Sequence, residues 1–143
     1  MADFKTFDPK LVVMSFAGIQ ISGYMDGTFI MAEREVDTFE KSVGAGGDVT
    51  RVRSNNRSGT ITLTLQAASP TNDLLSARAI IDEQTGLGTG VAMVKNINGT
   101  TLVSAADAWI QKPANVEYAD TASGREWVIA CADMRMFIGG ALI

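Results

Sequence analysis

The residue types on which most enzyme chemistry depends are scarce in this sequence. It has 143 residues, no histidine and a single cysteine, Cys131. A chain without histidine has no Ser-His-Asp or Cys-His machinery and no histidine pH switch. One cysteine excludes an intrachain disulfide and a cysteine-rich metal site. Nothing beside Cys131 would lower the pKa of its thiol, so we interpret it as a small core side chain rather than a nucleophile.

Acidic residues offer the next possible chemistry. Glu33, Glu35 and Asp37 fall on one side of a predicted strand, where paired carboxylates could act as acid and base or bind a hard cation. No further acidic residue lies at a sequence separation that would place it beside these three, so a solvated acidic face is the better interpretation. Asp133 and Arg135 are predicted to pair on the surface, where such pairs contribute little stability. We therefore expect no enzyme, no catalytic residue, no metal and no cofactor.

Two glycine-rich stretches resemble nucleotide-binding loops only in composition. Residues 44–47 lack the Lys-Ser/Thr pair that a phosphate loop needs, and no helix start follows them. Residues 86–90 follow a predicted helix rather than a strand, so they are not a dinucleotide fingerprint. Neither stretch predicts a cofactor site.

Arg51, Arg53 and Arg57 form the basic segment of the chain. They could clamp phosphate or single-stranded nucleic acid, but no aromatic residue lies between them to stack on bases. Residues 1–40 hold seven acids and three bases, whereas residues 41–60 hold four bases and one acid. An acidic part and a basic segment attract each other on neighbouring copies, and a head-to-tail contact of this kind repeats without closing. We therefore favour an inter-subunit contact.

The elements that must position these residues are mostly strands. Residues 10–22 are predicted as a strand with a bulge at Gly18, and residues 28–38 as an acidic strand. Residues 39–58 are expected to form a long flexible loop. In residues 59–67, apolar residues alternate with Thr60, Thr62 and Thr64, which predicts a strand with one buried face.

One helix is predicted at about residues 70–84. Ser69 is a good N-cap, Pro70 suits the first helical position, and Gly86 can end the helix. Leu74, Ala77 and Ile81, with Leu75 beside them, are expected to form its apolar, core-facing stripe.

The remaining sequence predicts further strands. Residues 91–97 lead through a two-residue turn at Asn98-Gly99 into residues 100–104; residues 106–112 form another strand, and residues 125–138 a long final one. We expect a mainly β, antiparallel single domain over residues 1–143, a β-sandwich or partly closed β-barrel with one α-helix. The longest apolar run, about residues 11–19, is too short to span a membrane, and no secretion signal precedes it, so we expect cytoplasmic synthesis.

Several short motifs together resemble one family. They are Asp37-Thr38-Phe39, Ser42 to Gly47, the Ser58-Gly59 start of the threonine strand, and Ser69-Pro70-Thr71-Asn72 before the helix, with Gln111-Lys112-Pro113-Ala114, Tyr118-Ala119 and Glu126-Trp127 further on. Over most of residues 28–138 the chain resembles tail tube proteins of contractile-tailed bacteriophages. The resemblance implies a tail-tube-like fold, a viral structural protein of the virion tail, and assembly in the bacterial host cytoplasm.

The resemblance also implies a multi-subunit assembly and its partners. Subunits form hexameric rings that stack into a hollow tube inside a contractile sheath, and DNA is ejected through the bore. The expected partners are further copies of the chain, the sheath, tape-measure and baseplate proteins, and genomic DNA that passes without specific binding. The lining should not attract phosphate. On this basis the lumen-facing or acidic contact face is expected to comprise Glu33, Glu35, Asp37, Thr60, Thr62 and Thr64. The segment with Arg51, Arg53 and Arg57 is expected to bridge stacked rings.

Two alternatives remain open at this point. One is the tube of a phage-derived contractile injection particle that carries no genome. The other is a small β-barrel binding module for a metabolite or nucleic acid, acting as a monomer or dimer.

Overall fold

Alternating apolar and polar residues build nearly half of this chain into antiparallel strands. The computed structural model describes residues 6–140. A short 3-10 turn, Pro9–Leu11, precedes the first strand. The elements that follow are β1 (Val12–Phe16), β2 (Ile19–Gln20), β3 (Ile30–Arg34), β4 (Phe39–Val43), β5 (Val49–Arg53), β6 (Gly59–Gln66), α1 (Thr71–Thr85), β7 (Gly90–Asn96), β8 (Leu102–Lys112), β9 (Gly124–Cys131) and β10 (Met134–Phe137).

Eight of these strands form one curved antiparallel sheet. Its order is β2-β1-β7-β8-β9-β6-β3, and β10 pairs with β8 beside β9. After β2 the chain returns to the far end of the sheet, where Tyr24 forms an isolated bridge with Leu65 of β6. The sheet therefore curls without closing fully, which confirms the predicted fold class of a mainly β protein with one helix.

The core lies on the inner face of this sheet. In β6 the side chains of Ile61, Leu63 and Leu65 are fully buried, as the alternation predicted. Strands β1, β7, β8 and β9 contribute the facing residues, and α1 covers them with Leu75 and Ala79. Burial of such a cluster is the main source of stability in a domain of this size.

Helix α1 confirms the predicted element but not its predicted core face. It begins at Thr71 beside Ser69, whose Oγ accepts a hydrogen bond from the Thr71 N–H at 3.3 Å, and it ends at Gly86, which has a φ of 73°. Of the four residues in the predicted stripe, only Leu75 is buried, at 0% accessible; Leu74 is 52% and Ile81 45% accessible, and Ala77 is exposed too.

Polar anchors explain how the helix is turned. The indole Nε1 of Trp127 donates to Asn72 Oδ1 at 3.0 Å, and Arg78 donates to the carbonyl oxygens of Gly88 and Thr89 at 3.0 and 2.7 Å. The Trp127 bond ties α1 to β9, and the Arg78 bonds tie it to the segment just before β7, so the Leu74 side is left in solvent.

Four predicted strand boundaries are wrong. Residues 10–22 are two strands joined by a tight turn at Ala17-Gly18, where φ is 50° and 82°, rather than one bulged strand. The acidic strand predicted at 28–38 ends at Arg34. The two strands predicted at 100–104 and 106–112 are one continuous strand, β8. The long strand predicted at 125–138 is broken between Cys131 and Met134.

The turn at Asn98-Gly99 is also wider than predicted. The Gly99 N–H donates to the Asn96 carbonyl at 3.1 Å, so Ile97 and Asn98 occupy the centre of the turn. The register pairs Lys95 with Leu102, which makes this a longer loop than a two-residue hairpin.

The segment predicted as a flexible loop, residues 39–58, is the largest correction. It contains the antiparallel hairpin of β4 and β5, which pair from Phe39 with Arg53 to Val43 with Val49. At the tip, the Gly44 N–H donates to the Asp48 carbonyl at 2.8 Å, and Gly47 has a φ of 90°, a conformation that favours glycine. Both strands contain β-branched or aromatic residues, Phe39 and Val43 in β4 and Val49 and Val52 in β5, which favour extended backbone despite the charged residues between them.

Candidate functional site

The hairpin of β4 and β5 presents two different faces. Directly paired residues of antiparallel strands lie on the same side, so the register assigns each residue to a face. One face, the hairpin basic face, comprises Phe39, Lys41, Val43, Val49, Arg51 and Arg53. The opposite face comprises Glu40, Ser42, Thr50 and Val52. All ten strand residues are exposed, so neither face packs against the body of the same chain.

Phe39 organises the cations of the basic face. The guanidinium carbon of Arg51 lies 4.0 Å from the centre of the Phe39 ring, and that of Arg53 lies 5.8 Å from it. These are cation–π distances, which orient both arginines without neutralising them. Within residues 6–140 neither arginine forms an ion pair with a carboxylate. Arg51 and Arg53 are therefore available to a partner.

Arg57 is separated from the other two predicted contact arginines. Its Nε lies 3.3 Å from Asp133 Oδ1, and Arg135 Nε lies 3.8 Å from Asp133 Oδ2. The predicted pairing of Asp133 with Arg135 is thus confirmed, with Arg57 as a second cation. Nearby, Arg34 Nη2 donates to the Met134 carbonyl at 2.9 Å. These contacts hold the base of the hairpin to the sheet, and a cleft of about 470 Å³ remains between Arg34, Arg53 and Arg57.

The acidic and threonine residues predicted as one face meet only in part. Glu33 pairs directly with Thr60 in the β3–β6 register, so it shares the outer sheet face with Thr60, Thr62 and Thr64. This face opposes the buried Ile61, Leu63 and Leu65, and β9 extends it with Ala130, Val128 and Glu126. Glu35 and Asp37 follow the end of β3 and are exposed. Glu35 Oε2 accepts a hydrogen bond from Ser58 Oγ at 3.3 Å.

Strand β3 adds an unpaired edge to this outer face. It is the last strand in the sheet order, and among the strands of residues 6–140 it pairs with β6 alone. Its free side presents backbone N–H and C=O groups that can accept another strand. Sequence reasoning missed this edge because strand order depends on long-range pairing.

The exposed stripe of α1 is a third surface that has no partner within residues 6–140. We call the residues Leu74, Ala77, Ile80 and Ile81 the helix stripe. Residues three, four and seven positions apart share a helix face, and an apolar face of this kind normally packs against another element. Sequence reasoning found most of these residues but assigned them to the core.

Two titratable groups in the interior have pKa values raised by burial. Burial raises the pKa of the Cys131 thiol to about 11, which keeps it protonated and unreactive at neutral pH. Burial likewise raises the pKa of Tyr24 to about 12. Across residues 6–140 there is no cluster of three or more potential metal-ligating side chains. In the same part of the chain, no helix has the length and apolar character needed to cross a bilayer.

Comparison with known proteins places these surfaces in a structural context. The family model described as Bacteriophage PhiTE tail tube protein matches residues 12–139. Structural protein ORF10 of Pseudomonas phage KPP10 is 27% identical over 122 residues, which are 84% of this chain and 70% of that protein.

Solved structures share the fold at low sequence identity. The tube terminating cap of the anti-feeding prophage superposes with a TM-score of 0.65 at 9% identity, over 96% of this chain and 94% of that one. The sheath-tube complex of the extracellular contractile injection system PVC gives 0.62 at 11% identity, over 96% and 93%. The PVC sheath/tube terminator gives 0.59 at 12% identity, over 96% and 100%. Because the family model covers most of the sequence, this chain belongs to the phage tail tube protein family.

Proposed function

We propose that this protein self-assembles into hexameric rings that stack as the hollow tube of a contractile phage tail and conduct DNA during ejection. The exposed hairpin carries this proposal. An isolated two-stranded hairpin is marginally stable in water, and this one exposes Phe39, Val43, Val49 and Val52 on both faces. Such a hairpin gains a stable environment when it packs on another subunit.

The free edge of β3 supports ring formation. A strand that pairs on one side only invites a strand from a neighbouring chain, and closure of a ring removes every such edge. In the proposed ring, β3 joins the sheets of adjacent subunits into a continuous wall.

The outer face of β3, β6 and β9 is the proposed lining of the bore. Glu33 and Glu126 carry negative charge there, and the three threonines are polar but uncharged. DNA phosphates are repelled by such a wall, whereas a basic wall would bind DNA through counterion release. A cryo-EM map with Glu33 and Glu126 on the outside of the tube would contradict this assignment.

The hairpin is the proposed bridge between stacked rings. Arg51 and Arg53 are its free cations, while Arg57 serves to hold its base. We expect the double variant Arg51→Glu/Arg53→Glu to fold normally but to give short tubes or none. The control Arg51→Lys/Arg53→Lys keeps the charge and should still assemble. Tubes of normal length from the charge-reversed protein would refute this role.

The remaining partners follow from the same proposal. A tube of this kind lies inside a sheath, has its length set by a tape-measure protein and starts from a baseplate. The protein is made in the bacterial cytoplasm before it enters the virion.

The structural neighbours from contractile injection systems favour a second candidate, the tube of a particle without a genome. Nuclease-resistant DNA in purified particles separates the two: phage contain it, and injection particles do not.

A further inference from the structure

We infer that the hairpin basic face of one copy packs on the helix stripe of α1 in a second copy. This inference rests on the proposed self-assembly and names the surface that accepts the hairpin. Neither surface has a partner in the described part of the same chain, residues 6–140, and the two match in apolar character, charge and position.

The two surfaces match in apolar character. Val43 and Val49 face each other across the hairpin at 60% and 64% exposure, with Phe39 further along the same face. On α1 the stripe runs from Leu74 to Ile81, about 10 Å at the rise of an α-helix. Strands of five residues are about 17 Å long, so the hairpin face can cover the whole stripe.

The two surfaces also match in charge. Lys41, Arg51 and Arg53 give the hairpin face three positive charges. Of the three acids in α1, Asp82 accepts a hydrogen bond from the Gly88 N–H at 3.1 Å and Glu83 lies away from the stripe, which leaves Asp73 as the acid beside it; the one base, Arg78, already donates to two backbone carbonyls. Asp73 is one turn from Ala77 and lies beside the stripe. Opposite charges around an apolar contact set its register and exclude wrong partners.

The positions of the two surfaces favour a contact between copies. The hairpin precedes the Gly59 end of β6, and α1 follows its Gln66 end. The eight residues of β6 separate these ends by about 26 Å. The hairpin residues are all exposed, so the hairpin does not lie on its own helix. A contact from one end of a subunit to the other end of the next is heterologous and repeats into an open-ended stack.

Cross-linking in the full-length protein tests the contact. We would introduce Val49→Cys together with Ile81→Cys and treat assembled protein with a short bis-maleimide. Each copy then carries one cysteine on the hairpin and one on the helix stripe. Cross-linking through the proposed contact therefore joins copy to copy and gives a ladder of covalent oligomers on a denaturing gel. Native Cys131 is buried and stays in place. The matched control pairs Val49→Cys with Val116→Cys, an exposed valine outside the stripe, and should give no ladder.

A charge swap provides the second measurement. Arg51→Glu should raise the critical concentration for assembly by about tenfold, and Asp73→Lys in the same chain should restore it to near the wild-type value. No rescue by Asp73→Lys would overturn the inference.

Each outcome separates the inference from the proposed function. Tubes without a ladder above the control would overturn the inference and leave self-assembly intact. Tubes in which Ile81→Cys reacts with a bulky polyethylene-glycol maleimide would also overturn it, because the helix stripe would then face outward towards another protein. A wild-type protein that stays monomeric at every concentration would instead overturn the proposed function.

Discussion

Two adjacent leucines on α1 should respond in opposite ways to the same substitution. Leu75 is fully buried, so Leu75→Ala leaves a cavity and should lower the free energy of unfolding by about 2–5 kcal/mol. Leu74 and Ile81 are about half exposed, so Leu74→Ala/Ile81→Ala should change the stability of the monomer by less than about 1 kcal/mol. The Leu74→Ala/Ile81→Ala variant should instead raise the critical concentration for assembly.

The effect on assembly follows from the area that is still exposed. Each substitution removes three carbons, and a buried methylene contributes about 0.8 kcal/mol. Because roughly half of each side chain is already covered in the monomer, docking should gain about 1 kcal/mol from each. The double variant therefore loses about 2 kcal/mol per contact, which raises the critical concentration roughly 30-fold.

Unfolding in urea and sedimentation of tubes measure the two effects separately. Urea unfolding of dilute protein gives the monomer stability of each variant, and the protein left in the supernatant after sedimentation gives the critical concentration. The reasoning would be refuted by a Leu74→Ala/Ile81→Ala protein that assembles at the wild-type concentration. It would equally be refuted by a loss of monomer stability as large as that of Leu75→Ala.

Three further predictions concern the core. Gly59→Ala should destabilise the fold by about 1–3 kcal/mol in urea unfolding, because the added Cβ would lie 2.5 Å from the Glu33 carbonyl oxygen. Asn72→Ala should cost about 1–3 kcal/mol by the same measurement, because it leaves the Trp127 indole N–H without its acceptor. Burial raises the pKa of Cys131 from 9.0 to about 11, so its contribution to stability should be complete below about pH 9 and decline as the pH rises to about 11, as unfolding at several pH values would show.

Local signals predicted the elements that depend on local chemistry. The threonine alternation of β6 and the Ser69-Pro70 and Gly86 boundaries of α1 act within a few residues, so they can be read without knowledge of the fold. The hairpin was missed because its few apolar residues are mixed with charged ones on the same strand faces, and nothing within residues 6–140 buries either face.

Other features depend on contacts that a sequence does not display. In β9 the buried residues are the odd-numbered Trp127, Ile129 and Cys131, whereas in β10 the buried residue is the even-numbered Met134, because the chain breaks at Ala132-Asp133. The apolar alternation of the sequence continues across this break and gives no sign of it. The break arises where β9 leaves β6 and β10 continues along β8 alone.

The helix stripe is a second feature whose packing the sequence does not reveal. Helical spacing predicts that Leu74, Ala77 and Ile81 share an apolar face, but it does not say which element covers that face. The anchors at Asn72 and Arg78 decide this, since they turn Leu75 and Ala79 towards the sheet.

Electron microscopy of the purified full-length protein tests the central claim most directly. Negative-stain images over a range of concentrations, with size-exclusion chromatography of the same samples, report the assembly state without any partner. Self-assembly through the hairpin and the β3 edge predicts rings or hollow tubes of uniform diameter that lengthen as the concentration rises. A compact monomer or dimer at every concentration would contradict the claim and favour a small β-barrel binding module.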